Sequence, residues 1–144
     1  MSRKLYSWYP MVKAKSFRNL APSKYPISGE GWVNYRGGTC ELMIDPGIAR
    51  YYRKLIPQYH NINAPRWSPH ITIVREFEKR NNNFGELWYY GYYFPFYYSP
   101  KIHFDGTYFY LRCVSKWITK MRKEFGLEPY RFDNCYHITI GNCK

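Results

Sequence analysis

The sequence lacks any long uninterrupted apolar run. No segment approaches the roughly 20 apolar residues that a membrane-spanning helix needs. The opening stretch, MSRKLYSWYPMVKAKSFRNL, also lacks the continuous apolar core of a secretory signal. We therefore expect no membrane partner and a cytoplasmic location, which for a viral protein would be the host cytoplasm.

Cysteine is scarce, and its spacing does not fit a metal site. There are four cysteines in 144 residues, and no two of them form a C-x-x-C pair. This excludes the usual zinc-finger spacing, and a chain of this length can bury a core without a disulfide scaffold. We expect a single domain with no metal, no cofactor and four reduced thiols, which are Cys40, Cys113, Cys135 and Cys143.

Acidic residues are also few. Ten Asp and Glu stand against 22 Lys and Arg, so the formal net charge is +12. Such an excess favours polyanionic partners, because each neutralised phosphate releases a counterion. Aromatic residues reach 22%, including 17 Tyr, and their faces can stack on bases. The alternative is that tyrosine simply fills strands, where its propensity is high.

The order of elements predicts an α+β domain. Residues 1–27 form a basic, aromatic arm with a strand around Leu5–Tyr9, and residues 28–144 form the folded domain. Strands are expected at GWVNYRGG, TCELMI, LWYYGYYF, YYSPKIHF and TYFYLRCV, with a hairpin turn at Asp105–Gly106. These elements suggest two β-α-β lobes with a mostly antiparallel sheet lining a central cleft and helices outside.

Two helices are predicted from capping residues and periodicity. DPGIARYYRKLIPQYH begins with Asp45 as N-cap and Pro46 in the first turn. SKWITKMRKEFG begins at Ser115 and closes at Gly126. Its apolar stripe consists of Trp117, Ile118, Met121 and Phe125. Each helix precedes one copy of a repeated strand.

The repeated strand is His-Ile-Thr-Ile, at His70–Ile73 and again at His137–Ile140. Side chains alternate faces in a strand, so each histidine shares one face with the threonine two residues later. The isoleucines point to the opposite, core-facing side. If the two lobes pack about a pseudo-twofold axis, His70, Thr72, His137 and Thr139 converge on one cleft.

This set of side chains suits phosphodiester cleavage without a metal. One imidazole can take a proton from the attacking oxygen while the other gives one to the leaving oxygen. The threonine hydroxyls can donate hydrogen bonds to the non-bridging oxygens. A single His-x-Thr would more often be structural, but two copies in matching context favour catalysis. His60 and His103 lack the pattern and are predicted to be surface or structural residues.

The paired His-hydrophobic-Thr-hydrophobic motifs resemble those of the 2H phosphoesterase superfamily. The likeness follows the order of elements over about residues 28–144, although only the two four-residue motifs are specific. It implies that His70 and His137 are the acid and base and that Thr72 and Thr139 hold the phosphate. Family members usually continue with strands beyond the second motif, where only Gly141–Lys144 follow here. We hypothesise that the arm, through Leu5–Tyr9, replaces the missing strand or covers the cleft.

Small phage anti-CBASS nucleases are the members that the chain is most similar to. The resemblance implies a metal-independent phosphodiesterase that cleaves cyclic oligonucleotide signals. Two other enzymes would share the motif: an RNA 2′,3′-cyclic phosphodiesterase and a 2′,5′-oligoadenylate phosphodiesterase. A non-enzymatic nucleotide sponge is a further alternative. We expect a cyclic oligonucleotide or short RNA as partner, no duplex DNA, and a monomer or homodimer.

Candidate substrate-binding residues come from the aromatic and arginine positions around the motifs. Tyr136 is a weaker candidate, because alternation turns it toward the isoleucine side. The predicted base-stacking residues are Trp32, Tyr35, Trp67 and Trp88. The predicted phosphate-binding residues are Arg36, Arg75 and Arg131.

Overall fold

The computed structural model describes residues 24–78, 89–130 and 134–144. Within these ranges the chain forms six strands and two α-helices. In chain order they are β1 (Ile27–Arg36), β2 (Thr39–Met43), α1 (Pro46–Lys54), β3 (His70–Val74), β4 (Tyr93–Phe104), β5 (Tyr108–Val114), α2 (Lys116–Glu124) and β6 (Tyr136–Asn142). The predicted Leu5–Tyr9 strand, Trp88 and Arg131 lie outside the described residues.

The six strands close into one antiparallel barrel in the order β1-β2-β3-β6-β5-β4. β1 pairs with both β2 and β4, which completes the ring. The α+β class with antiparallel pairing is therefore present, in a sheet that closes into a barrel. The described strands also close the sheet without the N-terminal arm.

The chain repeats one unit, β-β-α-β, twice. The expected repeat is present with an additional strand in each unit, since β1-β2-α1-β3 is followed by β4-β5-α2-β6. Each helix contacts the repeated strand of the other unit: α1 contacts β6 and α2 contacts β3. At the junction Ile71 pairs with Ile138, which is the same motif position in each unit. This pairing relates β3 and β6 by an approximate local twofold axis.

The first helix is shorter than its sequence pattern predicts. Asp45 caps α1 by accepting a hydrogen bond from the Gly47 N–H at 2.8 Å, and Pro46 occupies the first turn as expected. The helix ends at Lys54, and residues Gln58–His60 form a separate 3-10 turn. Pro57 explains the break, because the residue before a proline is disfavoured in the helical conformation.

The second helix agrees with its prediction. The Ser115 hydroxyl accepts a hydrogen bond from the Ile118 N–H, and Gly126 follows the helix with φ +77°. A positive φ at this position favours glycine and ends the helix. The four residues of the predicted stripe are all buried: Trp117, Ile118, Met121 and Phe125.

The middle of the sheet contains two strands where the sequence pattern predicts three. β4 runs continuously through Pro95 and Pro100. The ladder to β5 shifts register between Tyr98 and Ile102, which accommodates a proline that has no N–H to donate. The predicted Asp105–Gly106 hairpin is confirmed: the Asp105 carboxylate accepts hydrogen bonds from the backbone N–H groups of Thr107 and Tyr108, and Gly106 has φ +103°.

A single apolar core lies between the sheet and the helices. Ile71, Ile73, Ile138 and Ile140 are fully buried in it, as the alternation of the repeated strand predicts. The four cysteines are free thiols, and burial raises the pKa of Cys40 to about 12. Neither α-helix in the described part of the chain has the length and apolar character to cross a membrane.

Gly31 marks a close approach between β1 and β2. A Cβ at this buried position would overlap the carbonyl oxygen of Met43 and the side chain of Leu42. We expect Gly31→Ala to lower the free energy of unfolding by about 1–3 kcal/mol, because a backbone oxygen cannot move away cheaply. Urea unfolding measures the change. Ser28→Ala, at an exposed position of the same strand, should change stability by less than about 0.5 kcal/mol, and equal effects would contradict the prediction.

Candidate active site

The two copies of the repeated strand lie side by side in the barrel. β3 and β6 pair in antiparallel fashion at Ile71 and Ile138. When the antiparallel register is continued by one residue on either side of this pair, His70 lies across from Thr139 and Thr72 lies across from His137. All four side chains are half-buried on the face opposite the isoleucine core. The predicted convergence of two histidines and two threonines is therefore present.

These four residues line a cleft of about 830 Å³. The cleft is large enough for an oligonucleotide fragment, since small-molecule sites usually span roughly 300–1,000 Å³. Its basic side chains outnumber its acidic ones, with Asp105 as the acidic residue of the described lining. The basic side chains of that lining, besides the two histidines, are Arg36, Arg66, Arg75 and Lys144.

His70 is held through both ring nitrogens. Its Nδ1 lies 2.8 Å from the carbonyl oxygen of Ser68. A carbonyl can only accept, so Nδ1 carries a hydrogen and donates it. Its Nε2 lies 3.2 Å from the Oε2 atom of Glu41, whose side chain is only 1% exposed. The imidazole is thus fixed between a backbone carbonyl and a buried carboxylate.

Glu41 is in turn bound by Arg36. The Arg36 Nη2 donates to Glu41 Oε2 at 2.6 Å, and Nε donates to Oε1 at 3.2 Å. This two-point guanidinium contact fixes the orientation of the carboxylate. Arg36 therefore holds a negative charge beside His70, and it also lines the cleft.

His137 has a different environment. Its ring stacks on Tyr110 with centroids 4.2 Å apart and an interplanar angle of 28°. The opposite side of Tyr110 is stacked by His103 at 5.4 Å. Burial, and then the charges of Arg112 and Lys101, lower the pKa of His103. His103 is thus a structural neighbour of the site, one ring removed from the cleft face.

Asp105 contributes a carboxylate at one end of the cleft. Hydrogen bonds from the backbone N–H groups of Tyr108 and Thr107 lower the pKa of Asp105, and the charge of His137 adds a smaller lowering. The carboxylate is already bound by the β4–β5 turn at 2.7 Å and 2.9 Å. It therefore acts as a fixed negative charge near His137.

Trp67 forms an aromatic surface at the edge of the cleft. It is 49% exposed, and the Arg36 guanidinium lies 4.3 Å from its ring centroid. Arg66 contacts the same ring at 5.0 Å. An exposed indole flanked by two guanidinium groups can accept both a base and its phosphate.

The other predicted substrate-binding residues divide into two groups. Arg75 lines the cleft, as expected. Tyr35 packs against the core, and Trp32 makes an edge contact with Tyr90 at 6.2 Å, so neither belongs to the described cleft lining. The placement of Tyr35 and Trp32 therefore does not support the expected stacking role. Tyr136 is 4% exposed and packs in the core, as its strand position predicted, but it also belongs to the described cleft lining. Its hydroxyl donates to the carbonyl of Pro129.

Glu41 and Tyr110 of the site were not found by reasoning from the sequence, and neither were Arg66, Asp105 and Lys144 of the cleft lining. Glu41 is a lone acidic residue inside the apolar run TCELMI, and such a charge in a buried strand is itself a signal of a paired site. Tyr110 carries no comparable signal among so many tyrosines. In the described ranges no group of three His, Cys, Asp or Glu side chains is arranged to hold a metal ion. Comparisons with protein-family models, curated proteins and solved structures found no match.

Proposed function

We propose that this protein is a metal-independent phosphodiesterase that cleaves cyclic oligonucleotide signals by a two-histidine acid/base mechanism. The observation that carries the proposal is the meeting of His70, Thr72, His137 and Thr139 in one basic cleft. We further propose that the two β-β-α-β units correspond to the two halves of a 2H phosphoesterase-like fold. In that case the protein would act like the phage enzymes that counter cyclic-nucleotide defence.

The proposed step is an in-line attack within a ribonucleotide. One imidazole takes the proton of the ribose 2′-hydroxyl, and the 2′-oxygen forms a bond to the adjacent phosphorus. The bond from phosphorus to the 5′-oxygen breaks, and the other imidazole gives that oxygen a proton. The two threonine hydroxyls donate to the non-bridging oxygens as their charge rises. The product is a linear chain ending in a 2′,3′-cyclic phosphate.

The charge and aromatic content of the cleft support an oligonucleotide over a mononucleotide. Four Lys or Arg side chains line it besides the histidines, which is more than one phosphate requires. Trp67 adds a stacking surface at the edge. An RNA 2′,3′-cyclic phosphodiesterase and a 2′,5′-oligoadenylate phosphodiesterase would use the same four residues, and a sponge would use the cleft without cleaving.

A substrate panel tests the proposal. The protein is incubated in EDTA with 3′,3′-cyclic dinucleotides and trinucleotides, 2′,5′-oligoadenylate, and RNA ending in a 2′,3′-cyclic phosphate. We expect turnover of a cyclic oligonucleotide, and no turnover of the matching 2′-deoxy compound. Tight binding of every ligand with no product would support the sponge instead. Activity that strictly requires added metal would contradict the mechanism.

Trp67 is expected to contribute to substrate binding. Trp67→Ala should raise KM for an oligonucleotide by about 5–150-fold, because one base–aromatic stack is worth about 1–3 kcal/mol. Trp67→Phe should restore most of the affinity. Tyr59→Ala provides the control, since Tyr59 is 79% exposed and lies outside the described cleft lining. Equal effects of Trp67→Ala and Tyr59→Ala would rule out a stacking role for Trp67.

A further inference from the structure

Two aromatic rings of the described cleft lining are accessible to a base. Tyr110 is already stacked on His137, with centroids 4.2 Å apart, and Tyr136 is only 4% exposed. Trp67 is 49% exposed, and Tyr108 is half-buried on the cleft wall. The proposed reaction assigns a role to Trp67 but none to Tyr108.

Trp67 and Tyr108 lie on opposite sides of the four candidate catalytic residues. Trp67 is contacted by Arg36, whose guanidinium also binds Glu41 on β2. Tyr108 is the first residue of β5. Within the barrel, β3 and β6 lie between β2 and β5, so the strands that carry the histidines and threonines separate the two rings. A phosphate bound at these residues would therefore have one ring on each side.

Tyr108 is accompanied by a cation, as Trp67 is. The Lys144 Nζ atom lies 4.9 Å from the ring centroid of Tyr108. The backbone of Lys144 is held at two points, because its N–H donates to Asn142 Oδ1 at 3.2 Å and its carbonyl accepts from Asn63 Nδ2 at 3.0 Å. Asn142 in turn pairs with Tyr108 across the ladder between β5 and β6. An aromatic ring beside a cation can bind a base together with its phosphate.

Asp105 adds an exposed carboxylate to this end of the cleft. Its Oδ1 atom accepts both hydrogen bonds of the turn, from the backbone N–H groups of Tyr108 at 2.7 Å and Thr107 at 2.9 Å. Oδ2 takes part in neither bond, so it is available to a ligand. A carboxylate repels phosphate, but it accepts hydrogen bonds from the N–H groups of a base. An exocyclic amino group, such as that of adenine, is a donor of this kind.

Resting on the proposed function, we propose that Tyr108, Lys144 and Asp105 form a second nucleoside-binding subsite. Tyr108 stacks on the base, Lys144 binds the phosphate attached to that nucleoside, and Asp105 accepts a hydrogen bond from an exocyclic amino group. With Trp67 on the opposite side, the cleft binds the two nucleosides that flank the reacting phosphate. The preferred substrate class is therefore a dinucleotide unit within a cyclic or linear chain. A terminal 2′,3′-cyclic phosphate has a nucleoside on only one side of its phosphorus and would fill half of the cleft.

Binding of a dinucleotide that cannot react tests the subsite. The probe is the 2′-deoxy dinucleotide of adenine, and isothermal titration calorimetry gives its Kd. We expect Tyr108→Ala to raise this Kd by about 5–150-fold, the equivalent of one base–aromatic stack, and Tyr108→Phe to restore most of the affinity. Tyr51→Ala is the matched control, since Tyr51 is 60% exposed on α1 and lies outside the described cleft lining. Equal effects of Tyr108→Ala and Tyr51→Ala, or no binding of the probe to the unaltered protein, would overturn the proposal.

A double variant shows whether the two rings bind separate bases. Combining Trp67→Ala with Tyr108→Ala should raise the Kd of the adenine dinucleotide by about the product of the two single increases, because rings on opposite sides of the phosphate share no partner. If the double variant binds no more weakly than the weaker single variant, both rings contact the same base. That result would overturn the arrangement of two nucleosides.

Asp105→Asn tests the selection of the base and preserves the turn, since the amide oxygen can still accept from Thr107 and Tyr108. The amide nitrogen then replaces Oδ2 and donates where the carboxylate accepted. The unaltered protein should bind the adenine dinucleotide about 10-fold more tightly than the dinucleotide of unsubstituted purine, which lacks the amino group, and Asp105→Asn should abolish this preference. Comparing the two bases in each protein cancels the change in overall charge. A preference that survives in Asp105→Asn would overturn the role of Asp105.

Binding and cleavage together distinguish this inference from the proposed function. If the expected changes in Kd appear but no diester in the panel is cleaved, the proposed function fails while the subsite stands. If a dinucleotide is cleaved and Tyr108→Ala changes neither its Kd nor its KM, the subsite fails while the proposed function stands. Thermal unfolding shows whether each variant is folded, and Asp105→Asn examines the same subsite without altering the ring.

Discussion

Replacing either His70 or His137 with alanine is expected to lower the cleavage rate by about 10²–10⁴-fold, because each substitution removes one proton transfer of the proposed mechanism. Both side chains are half-buried on the cleft face, while the adjacent isoleucines keep β3 and β6 in the core. The loss should therefore appear in kcat with folding unchanged. Initial rates on the best substrate of the panel, together with thermal unfolding of each variant, measure the two effects.

The control for this prediction is a third histidine. His60 belongs to a 3-10 turn and makes an edge contact with Phe109 at 5.5 Å, away from the described cleft lining. His60→Ala should keep the full rate. The double variant of His70 and His137 should lose much less than the product of the two single losses, because residues acting as a unit are not additive. Either single variant retaining more than about a tenth of the rate would exclude acid/base roles for the pair.

The convergence of the four candidate catalytic side chains was predictable because it depends on local rules. Alternation along a strand separates His70 and Thr72 from Ile71, and the same rule applies to the second copy. The helix starts were predictable for a similar reason, since Asp45 and Ser115 cap their own chain neighbours. Each of these predictions needs only a few consecutive residues.

Features that depend on distant pairing were not predictable in the same way. The closure of the sheet rests on β1 meeting β4, whose paired residues are far apart in sequence, such as Ile27 and Tyr98. The contact of Glu41 with His70 likewise depends on the register between β2 and β3. Local pattern predicts a strand but not its partner, so the barrel and the charge beside His70 became visible only in the folded chain.

A buried arginine connects the second helix to the strand that carries His70. Arg122 on α2 is only 2% exposed. It donates from Nη1 to the carbonyl of Ile73 at 2.7 Å and from Nε to the carbonyl of Glu128 at 2.7 Å. Its Nη2 lies 2.8 Å from Glu78 Oε2. One guanidinium therefore satisfies two backbone carbonyls and a largely buried carboxylate.

Arg122→Met is expected to lower the free energy of unfolding by about 3–5 kcal/mol, because the Glu78 carboxylate and two backbone carbonyls lose the buried guanidinium that binds them. The unbranched side chain of methionine keeps most of the packing, so the lost stability measures the contribution of the guanidinium contacts. Urea unfolding gives the value. Lys123→Met, at the exposed neighbouring position, should change stability by less than about 0.5 kcal/mol.

A second change separates the charge from the carbonyl contacts of Arg122. Adding Glu78→Gln to Arg122→Met removes the carboxylate charge and should recover part of the loss, since a neutral amide costs less to bury than an ion. The remainder belongs to the carbonyls of Ile73 and Glu128, which lose their donors in both variants. A double variant as unstable as the sum of the two single variants would mean that the ion pair contributes nothing. In that case Arg122 would stabilise the fold only through its contacts with the backbone.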